Sequence, residues 1–374
     1  MKKLKSWHCK TLVVLLLLLS ALLLANPFTA QAEPAREKNP ELPAKSTQTR
    51  PAVPPIPELP RIHFPADPVQ VSIPPAKPEI PSSPRYAVIP ASLRPGDPVT
   101  IAYADSFTGP GSKDFQAVLL DTKGKRILKA PFFSFAQDSQ GQEIKTAILG
   151  VPSTVEPGPL TIRIEAANRI IQDLPLMVEK RDFVAETIDL DQGNTDIRTA
   201  PDPQKVTESE QLSAILYRTG TDIYTNGPFL PPVASTRRTS FFGDRRVFRY
   251  VTGNTDTSIH AGVDYGVPKG TEVRACAMGK VVLARPRIVT GNSVVLEHMP
   301  GVYSLYYHLD SIAVVEGQMA GAGLLLGLSG ATGLATGPHL HWEVRAAGEN
   351  TDPDALVSRA ILDKDEILSK LIAY

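Results

Sequence analysis

Seven histidines are spread over 374 residues, and five of them (His260, His298, His308, His339 and His341) fall within one stretch of under a hundred residues. His339 and His341 are two apart. Side chains two apart on a strand point to the same face, so these imidazoles converge if Gly337 to Val344 is extended, as its β-prone tail suggests. One can then bind a metal while the other sits beside it. His260 and Asp264, four apart, add a nitrogen and an oxygen donor of the kind zinc accepts. Three protein ligands with one position left open describe a catalytic rather than a structural zinc site. Gly262 lies between His260 and Asp264. In a turn it lets the backbone bend so that both donors reach one ion. Helical spacing would also join them, but Gly262 and Gly266 argue against a helix.

The elements that must position these groups read as mostly β. Val281-V-L-A, Ser293-V-V-L-E and Val302-Y-S-L-Y-Y-H are strand-like, and glycines at 262, 266, 270, 279, 291, 301, 317 and 321 mark turns or close backbone approaches. The same residues carry a family resemblance. His260-A-G-V-Asp264, Tyr306-Tyr307-His308-Leu309 and His339-L-His341 stand in order. Gly266-V-P-K-Gly270 precedes the Gly279-K-V-V run, Gly327-L-S-G-A-T-G-L-A-T-G-P leads into H-L-H, and Phe242-Gly243-Asp244-Arg245 lies upstream. Over roughly residues 236 to 354 the chain resembles the M23 (lysostaphin/LytM-type) zinc metallopeptidases that cut peptidoglycan peptides. The resemblance implies an antiparallel sheet with an open groove, of the duplicated hybrid motif kind. It implies zinc held by His260, Asp264 and His341, polarising the scissile carbonyl and acidifying a water. His308 and His339 are then the catalytic pair that are not ligands, able to move protons near neutral pH.

Neighbouring residues carry open readings. His298 fits a structural or surface role. Glu343 can orient a ligand or be an exposed strand carboxylate. Asn292 can meet substrate or serve a turn. Arg237, Arg238, Arg245, Arg246 and Arg249 can attract acidic stem peptides or form a solvated charged face. Cys276, the second of two cysteines, reads as a small core residue.

Outside that region the chemistry is sparse. Residues 1–32 read as a signal peptide: a lysine-rich start, an apolar run from Thr11 to Ala25, and Ala30-Gln31-Ala32 as cleavage site. An uncleaved anchor is the alternative and would hold the chain near a membrane; either exports it to the periplasm, cell envelope or beyond. Cleavage removes four lysines and no acids from a chain with 39 basic and 39 acidic residues, leaving a net charge of −4. That balance excludes the basic surface a nucleic-acid partner wants, and one remaining cysteine excludes an internal disulfide. Residues 33–84 are a proline-rich linker. Residues 85–180 carry short β-prone runs, Val99-T-I-A-Y, Gln116-A-V-L-L, Thr146-A-I-L and Leu160-T-I-R-I-E, broken by turn residues, and suggest an immunoglobulin-like β-sandwich. Residues 181–235 form a connector in which Thr207-E-S-Glu210 reads as a capping box opening a helix to about Arg218, with Leu212 and Ile215 packing it onto the next domain. Residues 236–354 are the peptidase-like domain and 355–374 a helical tail.

The expected fold is therefore mainly β. The expected function is a zinc endopeptidase acting on peptidoglycan cross-links or stem peptides. A catalytically inactive relative that binds wall or activates another hydrolase is the alternative, though such proteins usually lose a site residue and this chain keeps all five. A cupin oxygenase site would place its glutamate further from the second His than Glu343 stands. The sequence sets neither the bond cut nor the oligomeric state.

Overall fold

The computed structural model describes residues 85–104, 115–166, 169–218 and 220–373, and the expected signal segment and proline-rich linker lie outside them. The described chain is mainly β, as expected. Two five-stranded sheets come first. One has the order Ile372–Ala373, Arg85–Ile89, Pro98–Ala104, Glu143–Gly150, Phe133–Gln137; the other runs Ser92–Leu93, Arg169–Val178, Gly158–Ala166, Phe115–Leu120, Arg126–Pro131. The four β-prone runs named above each fall within one of these strands. Alternation decides what each face buries. Ile101, Tyr103 and Leu149 of the first sheet share a core with Leu119, Ile162 and Leu176 of the second. Ala102, Ala104 and Ile148 point the other way, into a core shared with Leu356, Ile361, Leu362 and Ile367. The first sheet is thus covered on both sides, and Pro98–Ala104 is buried throughout. Its one hydroxyl on the second face, Thr100, donates to Ile361 O at 2.7 Å.

The tail holds the expected short helices, Pro353–Ser358 and Lys364–Lys370, but does not end helical: Ile372–Ala373 pairs antiparallel with Arg85–Ile89. The connector helix also differs. It spans Pro203–Leu216, capped by Asp202, whose side chain accepts from Gln204 N–H, with Pro203 in its first turn. Thr207 lies inside it and donates to Pro203 O. An aspartate followed by proline is the stronger start signal, because proline lacks an N–H the first turn would leave unpaired. Leu212 and Ile215 do pack this helix on Leu283, Val295, Tyr303 and Leu305.

The remaining large sheet is antiparallel, with the path Arg238–Ser240, Val263–Tyr265, Leu340–Ala346, Val302–Ile312, Gly291–Met299, Gly279–Arg287, Met319–Ala320. A three-stranded sheet flanks it: Ala185–Asp189 runs parallel to Arg245–Arg249, which pairs antiparallel with Thr255–Ile259. Among the described residues no helix is long and apolar enough to cross a membrane.

Cys276 and His298 are both fully buried in this domain. Burial pushes the Cys276 thiol up to about 12, so it is the core residue expected. His298 donates from Nδ1 to Met278 O at 2.9 Å, which leaves Nε2 to accept from the Ser304 hydroxyl at 2.7 Å. Burial lowers its pKa to about 4, against the Met278 hydrogen bond. Unfolded, the ring protonates near 6.5; folded, only near 4. The stability this ring contributes is whole above 6.5 and lost as pH falls through 4, about 3 kcal/mol in all. NMR titration of the folded protein should find His298 neutral down to about pH 4; a ring that charges near its ordinary value would contradict this packing.

Candidate metal centre

The strand Leu340–Ala346 is sorted by its two-residue period. Leu340, Trp342, Val344 and Ala346 enter the core, so His341, Glu343 and Arg345 share the opposite face. Antiparallel pairing then sets Asp264 directly opposite His341 and Val263 opposite Trp342, and on the other side Tyr307 opposite His341. Opposed residues have Cβ atoms about 5 Å apart, so the carboxylate and the imidazole meet. His260 arrives from the end of Thr255–Ile259, its N–H bonded to Asp244 O. Gly262 works by close approach, since a Cβ there would stand 2.2 Å from Trp342 O. That differs from the turn flexibility expected of it.

The result is three donor atoms facing one point. His260 Nε2 and Asp264 Oδ1 are 3.1 Å apart, Asp264 Oδ1 and His341 Nδ1 2.7 Å, and the two nitrogens 3.0 Å. A tetrahedron with metal bonds of about 2.05 Å has edges of about 3.3 Å, so the set fits a zinc-sized ion with slight expansion. The other ring nitrogens fix the tautomers. His260 Nδ1 donates to Phe241 O at 2.7 Å, and His341 Nε2 donates to Glu343 Oε1 at 3.0 Å. Such outer partners orient ligating imidazoles. Glu343 is buried and paired in turn with Arg345 at 2.8 Å, so it is the orienting carboxylate and not an exposed one.

His308 and His339 stand beside the three. Their rings are 4.8 Å apart, and His339 Nε2 is 3.9 Å from Asp264 Oδ1. His308 Nδ1 donates to Thr332 O and His339 Nδ1 to Gly337 O, both at 2.8 Å, which leaves each Nε2 with a free lone pair. His339 precedes the strand as an isolated bridge to Gly330. His308 has φ 61°, rare for a residue with a Cβ, where the strand register shifts. Such bulges re-aim side chains next to sites. All five residues border one cavity of about 210 Å³, whose other walls include Ile188, Leu190, Phe248 and Leu334.

Charge alternates through the site. Burial resists ionising Asp264, yet His341 and His260 hold its carboxyl well below the usual range. Burial alone would lower His341, but Asp264 and Glu343 raise it to about 9. Glu343, despite burial, is held at about 2 by Arg345 and His341. Burial, with His339 and His341 nearby, lowers His308 to about 3; burial likewise lowers His339 and His260. The two free imidazoles are therefore neutral at physiological pH.

Sequence reading missed Tyr307, stacked on His341 with ring centroids 5.7 Å apart, and the grip on Asp264 Oδ2, which accepts from Arg246 at 2.7 Å. Arg246 also donates to Glu186 at 2.8 Å. Neither partner could be found from spacing. The arginine run is not a uniform solvated face: Arg238 pairs with Asp354, Arg249 with Asp189, and Arg245 bonds Gly243 O and Ser153 O. Asn292 is not the turn residue expected: it lies in the strand Gly291–Met299 and donates to Leu309 O and Asp310 O of the neighbouring strand, a structural role.

Residues 258–353 match the model of peptidase family M23. The DD-carboxypeptidase/endopeptidase Mpg of Neisseria meningitidis serogroup B is 39% identical over 124 residues, 33% of this chain and 28% of that protein. The peptidoglycan DD-endopeptidase ShyA of Vibrio cholerae is 34% identical over 178 residues, 46% of this chain and 40% of that protein. The match thus spans less than half the length of either relative. A crystal structure of a peptidase M23 from Pseudomonas aeruginosa aligns with 71% of this chain and 94% of its own, at TM-score 0.47 and 24% identity.

The Arg246 guanidinium confines Asp264 to one free oxygen. Arg246→Met should weaken zinc affinity by about ten- to a hundredfold, measured by competition with a chelator. Unchanged affinity would mean that the strand alone holds Asp264 in place.

Proposed function

We propose that this chain, whose residues 258–353 match the model of peptidase family M23, is a zinc-dependent endopeptidase that hydrolyses peptide bonds in peptidoglycan cross-links or stem peptides. The observation that carries the proposal is the convergence of His260 Nε2, Asp264 Oδ1 and His341 Nδ1 beside two neutral imidazoles with free Nε2 lone pairs. We assign the three as ligands and His308 and His339 as the catalytic pair. The name of the Vibrio relative points to peptidoglycan as substrate, and that of the Neisseria relative to endopeptidase activity.

Zinc bound there supplies Lewis acidity, polarising a peptide carbonyl and making a water acidic near neutral pH. The chain's own groups do the rest. Hydrolysis must take one proton from the attacking water and give one to the leaving amine. The His308 and His339 Nε2 atoms face the cavity and are unprotonated at rest, so either accepts the first proton and the charged ring then donates it. His339, beside Asp264, is better placed to carry positive charge. Their Nδ1–H bonds to Thr332 O and Gly337 O hold both rings in the reactive tautomer. Glu343 and Arg345 keep the His341 Nδ1 lone pair aimed at the ion.

In this reading residues 1–32 direct export and are removed, residues 33–84 serve as a spacer, and the two facing sheets form an immunoglobulin-like module ahead of the peptidase domain. Protein beginning after Ala32 on N-terminal sequencing supports export by cleavage; protein retaining Met1 in the inner membrane supports the anchor. For the activity, purified peptidoglycan digested by the mature protein should release fragments whose masses show cut peptides and intact glycan. His308→Ala and His339→Ala should each keep zinc and lose about a hundred- to ten-thousandfold in rate. Near wild-type cleavage by either variant would remove that residue from the pair, and loss of zinc from His339→Ala would make it a ligand.

A further inference from the structure

A second cavity of about 340 Å³ adjoins the first, sharing Asp264, Arg246 and His339 with it. The two halves of the groove differ in chemistry. The first has Leu190, Phe248, Val289 and Leu334 in its walls, beside Arg198, which is paired with Asp256. The second adds Glu186, Arg237, Thr239 and Ser240, while Ile188 borders both. Glu186 and Asp264 are both hydrogen-bonded to the same guanidinium, that of Arg246. That leaves Arg237, which is exposed and has no acidic partner among the described residues. Its Nη1 donates to one carbonyl, Gly266 O, at 3.2 Å.

The seat of this guanidinium is shaped for it. Gly266 follows Asp264 by two residues, and a Cβ there would stand 2.5 Å from Arg237 Nη1 and 2.6 Å from the Thr239 methyl. A side chain there would displace the guanidinium from its present seat. Two residues of extended chain measure about 7 Å, so the Gly266 carbonyl that Arg237 binds lies about that far along the chain from Asp264. An extended peptide advances about as far per two residues as the strand does.

We propose that Arg237 and this cavity bind a free carboxylate of the substrate, within about two residues of the bond that is cut. The preferred substrates are then acidic peptides bearing their negative charge on the Arg237 side, with an apolar group on the side of Leu190 and Phe248. This rests on the peptidase reading above. The remaining Nη and Nε hydrogens of Arg237 offer the planar donor fork that carboxylates take best.

The test uses the zinc-loaded protein and synthetic cross-linked stem peptides made in two forms, with the side-chain or terminal carboxylates free or as carboxamides. Cleavage kinetics and equilibrium binding are measured for wild type, Arg237→Gln and Arg237→Lys. Wild type should favour the acid form by about five- to tenfold, in KM and binding rather than in kcat. Arg237→Gln should treat both forms alike, and Arg237→Lys should keep part of the preference. Equal handling of acid and amide by wild type, or an undiminished preference in Arg237→Gln, overturns the proposal. The binding arm separates the two claims. An acid preference that depends on Arg237 without cleavage would sustain this site and count against the peptidase reading, whereas cleavage without preference does the reverse.

Discussion

The pairing of Asp264 opposite His341 fixes everything else in the site. It is a matter of register, and register is set by what lies on the far face of the same strand. Leu340, Trp342, Val344 and Ala346 are fully buried, each large side chain stabilising that arrangement by about 2 kcal/mol. A slip of one residue would turn them to the groove and drive His341, Glu343 and Arg345 into the apolar core. The bare Cα of Gly262 then allows the preceding turn to close on Trp342 O and deliver His260. The apolar face therefore positions the polar one.

The polar face is a chain of alternating charge: Glu186, Arg246, Asp264, His341, Glu343, Arg345. Each buried charge has a partner of opposite sign on either side. Taking out one member leaves its neighbours uncompensated, which costs about 3–5 kcal/mol for a buried pair. Such a network keeps donors in place before any ion arrives. It also joins the connector to the site, because Glu186 lies on Ala185–Asp189, outside the residues that match the family model. Ile188 and Leu190 of the same connector wall the groove. The segment read from sequence as a link between domains is thus part of the site's surroundings.

That these five residues would meet was legible because their types and spacings are rare: H-x-x-x-D and H-x-H cannot easily serve a core. The strands were legible where β-branched runs sat between glycines. What stayed hidden has a common physical cause. Arg246, Glu186 and Tyr307 act through contacts between segments far apart in the chain, and a surface arginine or a strand tyrosine has no local signature. The role of Gly262 was misread for the same reason, since its neighbour Trp342 is eighty positions on. The helix at Pro203–Leu216 was placed too late because Thr207 and Glu210 imitate a cap, while Asp202-Pro203 is the actual one. The return of Ile372–Ala373 to the first sheet depends on a partner strand nearly three hundred residues earlier.

That three donors hold one zinc ion is the claim on which the chemistry stands, and metal content tests it directly. Protein purified without added chelator, and its His341→Ala variant, would be analysed for zinc per folded chain. The account predicts about one zinc in the wild type and loss of it in the variant, with the fold retained by circular dichroism. A stoichiometric zinc that survives the loss of His341 would contradict it.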